Sequence, residues 1–294
     1  MPPRRGPRNR HPMGFKRYPR DTVFCGHGIA DPDAASPWSA ERHTRVAPDM
    51  LDDLLSRLAG RCHLTFDDGY LDNLETALPI LERHERSATV FVTTGFIDDS
   101  AAPMEAVVEA VIESGAWRFE RPAHDEPGQY QRDTLDRLAG LSIAERLREQ
   151  TRLLEASGTT TAELTRRYLN RDALTRLAAH PLITIGAHTH SHPDLRRLAD
   201  ADLVSELATA RTRLADWLAR PIAQVAYPYG HTDARVRQAA RQAGYSAGYT
   251  MNAPDWRARV GLIGRLDRPR IDLRSAATRL TRRRARHGNQ AAVL

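Results

Sequence analysis

The sequence has few or none of several features that would each indicate a particular class of protein. Among its 294 residues there is a single lysine, Lys16, and there are only two cysteines, Cys25 and Cys62. Both cysteines lie in apolar, strand-like settings, which favour buried free thiols over a disulfide or a metal-binding pair. The longest apolar runs, such as Ala88 to Val92, are far too short to span a bilayer. We therefore expect neither a disulfide framework nor a transmembrane segment.

Net positive charge is small in the middle of the chain, although the formal net charge of the whole sequence is +6. The excess lies largely at the two ends, and between them Arg alternates with Asp and Glu in the pattern of solvated helices. This distribution predicts no specific nucleic-acid partner. The N-terminus has basic residues but no apolar stretch after them, so we expect no signal peptide and a cytoplasmic protein.

Composition divides the chain into three segments. Residues 1–20 are rich in Pro and Arg without periodicity, which predicts a disordered basic tail. Strand-like and helix-like patterns alternate over residues 21–275, which predicts one α/β domain with a parallel sheet. Within it, residues 104–180 are mostly helical and are interpreted as an insertion. Residues 276–294 form a second basic tail.

Two adjacent carboxylates close the stretch that organises the domain, which reads Leu64-Thr65-Phe66-Asp67-Asp68-Gly69-Tyr70. Side chains alternate between the faces of a strand, so two consecutive Asp at a strand end point in different directions. One can then hold a metal while the other handles a proton. The structural alternative is a turn in which one Asp caps the following helix.

Three histidines follow the strand predicted at 182–187, in the order His188-Thr189-His190-Ser191-His192. If the chain turns helically after the strand, His188 and His192 face the same way and can share one metal. With one Asp they would form a set of two His and one carboxylate. Such a set leaves positions open for water and substrate.

The polar features of the domain all follow predicted strands. They are the pair Asp67-Asp68, the cluster 188–192, the turn Pro228-Tyr229-Gly230, and His27. In parallel α/β folds, functional residues gather beyond the carboxyl ends of the strands. We therefore expect these groups, although distant in sequence, to share one face.

The stretch 65–70 resembles the first motif of the polysaccharide deacetylases, also called the NodB-homology domain or carbohydrate esterase family 4. Residues 188–192 are similar to the second motif of that family, His-Ser/Thr-x-x-His. The resemblance implies a distorted (β/α) barrel with one divalent metal held by three ligands, which are Asp68, His188 and His192. Zn is the default metal, and such a site also accepts Co, Ni or Fe. His190 occupies a variable position and is expected at the rim.

The resemblance also assigns catalytic roles. Asp67 corresponds to the general base. The segment 227–230 is similar to the end of the third motif, Arg-x-Pro-Tyr-Gly, in which the backbone N–H of Tyr229 helps to bind the oxyanion. The sequence departs from this motif because Ala226 stands where the family has an arginine that orients the base. We expect Arg270, in a late predicted strand, to substitute for it.

The fourth and fifth motifs are not in their usual form. Residues 252–256 contain an Asp-Trp pair that is similar to part of the fourth. The fifth motif is a short apolar strand ending in Leu-x-His, which supplies the general acid, and nothing after Gly230 fits it. The run from Val23 to His27 does fit, so we expect that this strand has moved to the front of the chain and that His27 is the acid.

The resemblance implies a metal-dependent hydrolase that removes N-acetyl groups from an amino-sugar-containing glycan or glycoconjugate. Two alternatives stay open. His188-Thr189-His190 also resembles the His-x-His of PHP-type metal-dependent phosphoesterases, which would hold two or three metals. The missing motif-three arginine would equally suit a non-catalytic saccharide-binding or regulatory relative. The sequence specifies neither the glycan nor the oligomeric state.

Overall fold

A closed barrel of parallel strands forms the centre of the protein. A computed structural model describes residues 22–58, 62–120, 126–251 and 267–278. The strands of these residues, in barrel order, are β1 Thr22–Gly26, β2 Cys62–Phe66, β3 Ala88–Val92, β4 Ile183–Ala187, β5 Gln224–Ala226, β6 Ala247–Thr250 and β7 Asp267–Asp272. β1 pairs in parallel with both β2 and β7, which closes the barrel. The predicted (β/α) barrel is confirmed.

The strand sequences suit a barrel that is covered on both faces. All five residues of β3 are buried, and no polar face alternates with the apolar one. Such runs of Val, Ile and Phe are typical of parallel strands that have side chains packed inside the barrel and helices packed outside.

Helices surround the barrel and fill most of the connections between strands. Within the described residues they include α1 Glu41–Thr44, α2 Pro48–Arg57, α3 Leu78–Arg83, α4 Thr94–Ile97, α5 Met104–Glu113, α6 Trp117–Glu120, α7 Pro127–Ala139, α8 Ile143–Ser157, α9 Thr161–Thr165, α10 Arg171–Ala178, α11 Asp200–Leu218 and α12 Ala234–Gln242. A π-helical turn over Asn73–Ala77 leads into α3. None of these helices is long and apolar enough to cross a membrane.

The main apolar core lies between the strands and the outer helices. Its fully buried members include Leu54 from α2, Leu177 from α10 and Leu207 from α11. Burying each such side chain contributes about 1.5–3 kcal/mol. Cys25 is buried and Cys62 is partly buried, and both are free thiols, as predicted.

The helical excursion between β3 and β4 has a second, smaller core. Side chains from α5, α7 and α8 meet there, among them Val107, Tyr130 and Leu153. α10 also lies within the stretch 104–180, yet its Leu174 packs in the main core with the barrel strands. The second core therefore belongs to the helices between α4 and α10, both of which have residues in the main core.

Strand register decides which residues meet at the carboxyl end of the barrel. Gly26 of β1 is paired with Phe66 of β2, so the next residues, His27 and Asp67, leave the barrel side by side. Ala187 of β4 is paired with Val225 of β5, which brings the start of the histidine cluster to the neighbouring strand end. Parallel pairing therefore gathers groups that are distant in sequence.

Candidate active site

The two carboxylates at the end of β2 diverge because the backbone turns sharply between them. Asp67 donates its backbone N–H to the carbonyl of Gly26 at 2.9 Å and so continues the ladder with β1. Asp68 and Gly69 then take left-handed conformations, with φ of 72° and 78°. Asp tolerates this region better than most residues, and Gly adopts it freely. The Asp67 carboxylate consequently turns to β7, whereas that of Asp68 faces the loop after β4.

Asp67 forms a buried, bidentate ion pair with Arg270. Arg270 Nη1 lies 2.5 Å from Asp67 Oδ1, and Nη2 lies 2.6 Å from Oδ2. The Cys25 thiol lies 3.4 Å from Oδ2, within range of a weak hydrogen bond to the same carboxylate. Burial alone would raise the pKa of Asp67, but the Arg270 guanidinium, helped by His188, outweighs burial and holds the pKa below its usual value. Asp67 is therefore an ionised, firmly oriented carboxylate.

The loop between His188 and His192 is not helical, so a helical turn is not what brings the two imidazoles together. Thr189 and His192 are left-handed, with φ of 66° and 58°. Such angles are uncommon for these residues, and tertiary contacts stabilise them here. A hydrogen bond within the loop also contributes, because the His192 N–H donates to Thr189 Oγ1 at 3.1 Å.

Glu206 of α11 stabilises the loop between His188 and His192 by hydrogen bonds. Its carboxylate is buried and accepts the backbone N–H groups of His190 and Ser191 at 2.9 and 2.8 Å. It also accepts the Ser191 hydroxyl at 2.6 Å. Hydrogen bonds to a charged acceptor are roughly twice as strong as neutral ones. One side chain thus supplies three strong contacts between the two outer histidines.

His190 does not line the cavity described below, contrary to its expected position at the rim. Its Nδ1 lies 2.9 Å from Thr94 Oγ1, and its carbonyl accepts the Gly95 N–H at 2.8 Å. A Cβ on Gly95 would come within 2.6 Å of that carbonyl oxygen, so glycine permits the close approach. His190 therefore helps to close the loop.

His188 and His192 both face Asp68. His188 Nδ1 lies 2.9 Å from the Ala226 carbonyl, to which it donates as the protonated nitrogen, and this leaves Nε2 available. Nε2 of His188 and Nε2 of His192 lie 3.4 and 3.5 Å from Asp68 Oδ1. One donor atom from each of the three residues lies within 4.8 Å of the others.

This donor set fits a divalent metal. Asp68 Oδ1 is buried and has no hydrogen-bond partner among the described residues, although two imidazoles face it. Metal-bound histidines commonly donate their other ring nitrogen to a backbone carbonyl, as His188 does to Ala226. Two imidazoles and one carboxylate are ligands that zinc prefers, and they leave a coordination position open.

The charges of the three groups are coupled. Burial by itself would raise the pKa of Asp68, but contact with His188 and the proximity of His192 lower it well below its usual value. Burial lowers the pKa of His192. For His188 burial acts in the same direction, but the carboxylates of Asp67 and Asp68 outweigh it and raise the pKa. The site therefore combines an ionised carboxylate with at least one imidazole that favours its neutral, metal-binding form.

His27 lies beside Asp67, as expected from the register of β1 and β2. One ligand atom each of Cys25, His27 and Asp67 lies within 4.8 Å of the other two. Their spacing would also suit a metal, but the Arg270 guanidinium already occupies both oxygens of Asp67. A cation next to that guanidinium would be repelled. The arrangement suits proton transfer better than a second metal.

Tyr229 covers the candidate metal-binding histidines from the solvent side. Its backbone is left-handed, with φ of 58°, and its ring centroid lies 4.9 Å from that of His192. Its hydroxyl donates to Glu105 Oε1 at 2.7 Å. Because Glu105 belongs to α5, the helical excursion contributes directly to the site.

A cavity of about 310 Å³ opens above these groups. Its floor is formed by the sequence-predicted residues His27, Asp67, Asp68, His188, His192 and Tyr229. Tyr70, Phe96 and Tyr168 form an aromatic wall on one side, in which Tyr70 stacks on Tyr168 and Phe96 is tilted against it. An apolar wall beside a polar floor is typical of small-molecule sites. Arg270 lies below the floor, behind Asp67, and residues 252–256 lie outside the described residues.

Glu206 and Glu105 are among the site residues that were not foreseen from the sequence. Glu206 had a detectable signal, because it interrupts the apolar stripe of Leu203, Leu207 and Ala210 on α11, and a charge on that face requires buried partners. Glu105 had none. An acidic residue in the first turn of a helix is ordinary, since it interacts favourably with the helix dipole.

We expect Glu206→Gln to weaken metal binding by about 10–100-fold, the range seen when groups behind metal ligands are altered. Both N–H groups share Oε2, so the amide oxygen of Gln can keep them, but a neutral oxygen accepts more weakly than a charged one and the loop between the two histidines would loosen. Titration with a competing chelator measures the affinity. Asp216→Asn, an exposed substitution on the same helix, is the matched control. Equal affinity in the two variants would contradict the role of Glu206.

Comparison with known proteins gives two kinds of match. A family model described as polysaccharide deacetylase matches residues 58–248, which is more than half of the chain. No curated protein matches the chain. The solved structures described next are each under 25% identical to the chain, so they bear on the fold alone.

Among these structures is the Streptococcus pyogenes deacetylase PplD in complex with acetate, with 17% identity over 90% of this chain and 97% of that chain and a TM-score of 0.55. A putative polysaccharide deacetylase from Bacillus anthracis has 15% identity over 88% and 68%, with a TM-score of 0.53. IcaB from Ammonifex degensii has 15% identity over 87% and 95%, with a TM-score of 0.51. The barrel of the present chain is similar to all three.

Proposed function

Because the chain belongs to the polysaccharide deacetylase family, we propose that it is a metal-dependent hydrolase that removes N-acetyl groups from an amino-sugar-containing glycan or glycoconjugate. The observation that carries the proposal is the division of the adjacent carboxylates. Asp67 is held by Arg270, whereas Asp68 faces two imidazoles. One residue is thus available as a base and the other as a ligand. The cytoplasmic location expected from the sequence stays a prediction.

The ligands of the proposed metal are Asp68, His188 and His192. A bound divalent ion supplies Lewis acidity and makes water acidic enough to act as a nucleophile near neutral pH. Zn is the default, and Co, Ni or Fe also suit two imidazoles and a carboxylate. The hydrogen bond from His188 to the Ala226 carbonyl fixes the ring so that Nε2 faces Asp68.

Asp67 is the proposed general base. Its carboxylate lines the cavity floor and stays ionised because Arg270 lowers its pKa. Both of its oxygens are fixed by the guanidinium, so its orientation is preserved while it takes a proton from the attacking water. Arg270, from β7, is the proposed substitute for the missing motif-three arginine, because its guanidinium contacts both oxygens of Asp67.

His27 is the proposed general acid. It lies next to Asp67 on the cavity floor, where a protonated imidazole can donate to the nitrogen of the leaving amine. Tyr229 completes the set with its backbone N–H, which would stabilise the developing oxyanion. One such donor typically contributes about 2.7–4 kcal/mol.

We expect His27→Ala to slow hydrolysis of an N-acetyl amide by about 10²–10⁴-fold, the usual contribution of a general acid. Hydrolysis of an activated aryl acetate should change little, because its leaving group departs without a proton. Steady-state kinetics on both substrates measures the difference, with metal content as the control for an intact site. Equal losses on both substrates would contradict the acid role.

Release of free amino groups from N-acetylglucosamine oligomers tests the function itself. We expect release by the metal-loaded protein, loss of activity after chelation, and recovery when Zn, Co, Ni or Fe is restored. Phosphate release from phosphoesters by a protein holding two or three metals would indicate the phosphoesterase instead. Saccharide binding without any amine release from the metal-loaded protein would indicate a non-catalytic relative.

A further inference from the structure

The segment that carries His27 has no regular secondary structure, so other residues must fix it. Gly26 accepts the N–H of Asp67, and the Gly28 carbonyl accepts the N–H of Val46 at 3.0 Å. Between these two contacts lies the His27 carbonyl. It accepts the side-chain amide of Asn73, with Nδ2 at 2.9 Å.

Asn73 is itself almost completely buried, with 1% of its surface exposed. It opens the π-helical turn that follows the Asp67-Asp68 turn. Turns of this kind are rare and are often found at functional sites. Asn73 Oδ1 is buried without a hydrogen-bond partner among the described residues. An unsatisfied polar atom costs free energy, so an apolar side chain would suit this position better if packing were its role.

Asp72 supports the same contact. Its Oδ1 lies 3.2 Å from Asn73 Nδ2, which directs the amide group. Its Oδ2 lies so close to the neighbouring backbone that a Cβ on Gly28 would come within 3.0 Å of it. Asp72 and Asn73, which follow the Asp67-Asp68 turn, therefore pack against His27 and Gly28 from one side.

We propose that Asn73 is a positioning residue for His27, which couples the segment bearing the proton donor to the turn bearing the base and the metal ligand. The inference rests on the proposed function, because it gives His27 the role of general acid. Asn73 acts through the backbone of His27 and does not line the cavity. Its removal should therefore affect the proton-donating step selectively.

The test compares Asn73→Ala and Asn73→Leu with wild type on an N-acetylglucosamine oligomer and on 4-nitrophenyl acetate. We expect amide turnover to fall by about 10–100-fold, since small displacements of catalytic groups have effects of this size. Ester turnover should stay within about threefold of wild type, because its leaving group needs no donated proton. The Leu variant fills the space that Ala leaves. Ser142→Ala, which removes the helix cap of α8, controls for a general loss of stability.

A double-substitution cycle decides whether Asn73 acts through His27. In the His27→Ala background, Asn73→Ala should cause no further change in the ratio of amide to ester turnover. The same loss in both backgrounds would overturn the proposal, and so would equal losses on the two substrates. Failure of the proposed function is a separate outcome, because wild type would then release no amine from the oligomer.

Discussion

Asp67→Asn is expected to retain the metal and to slow amide hydrolysis by about 10²–10⁴-fold, the usual contribution of a general base. Asn cannot take a proton from water, but its oxygen can still accept a hydrogen bond from Arg270. Asp68, His188 and His192 are unchanged, so metal analysis should give the wild-type content. Turnover has to be normalised to the folded fraction, because half of a buried ion pair has been removed.

The matched control is Asp68→Asn, the same chemical change one residue along the chain. It should lower the metal content, since Asp68 Oδ1 lies 3.4 and 3.5 Å from the Nε2 atoms of His188 and His192. Activity should be lost together with the metal. Metal loss in Asp67→Asn combined with metal retention in Asp68→Asn would mean that the two roles are reversed.

Arg270→Met is expected to lower the free energy of unfolding by about 3–5 kcal/mol and to remove most of the activity. The side chain of Arg270 is fully buried, and that of Asp67 is 4% exposed. Without the guanidinium, the carboxylate is a buried charge with no cation against it. Urea unfolding measures the stability. Arg270→Lys keeps the charge but not the bidentate contact. It should therefore retain most of the stability while still losing activity.

The effect of Arg270→Met should depend on pH. In wild type the pKa of Asp67 is lowered in the folded state. The ion pair therefore stabilises the protein fully above the pKa of Asp67 in the unfolded chain, about 3.9. This stabilisation is lost as the pH falls through the pKa of Asp67 in the folded state. In Arg270→Met the guanidinium no longer opposes burial, so burial raises the pKa of Asp67. The stability of this variant then falls as the pH rises through the pKa of Asp67 in the folded state. The difference between the two proteins should be larger at pH 7 than near pH 4.

A double variant separates charge from packing. Asp67→Asn combined with Arg270→Met removes both charges, so it should be more stable than Arg270→Met alone. A loss below about 1 kcal/mol in Arg270→Met would be the behaviour of an exposed pair. That result would contradict a buried ion pair at this site.

The sequence was sufficient to predict the barrel and the set of residues at its carboxyl end. Parallel strands end on one face, so the alternation of strands and helices placed Asp68, His188 and His192 together without knowledge of distances. Arg270 was chosen because Ala226 left the base without its usual cation. The ion pair between β2 and β7 shows that a charge can be supplied from a different strand when the barrel closes.

The conformation of the histidine loop could not be predicted in the same way. Spacing of four residues indicates a helical turn when only local preferences are considered, and Thr189 disfavours the left-handed region that it adopts. The contacts that overrule this preference come from Glu206, which lies in a helix further along the chain. Asn73 has no local signature either, because its partner is a backbone carbonyl that is 46 residues distant in sequence.

The closure of the barrel by β1 and β7 has a consequence for biosynthesis. Arg270 follows Asp67 by 203 residues, and at about 5–20 residues per second the ribosome needs roughly 10–40 s to add them. During that interval the nascent chain carries the carboxylate without its cation, and the free edge of β1 has no neighbour on one side. The barrel and the floor of its candidate active site can therefore be completed only after nearly all of the domain has been translated.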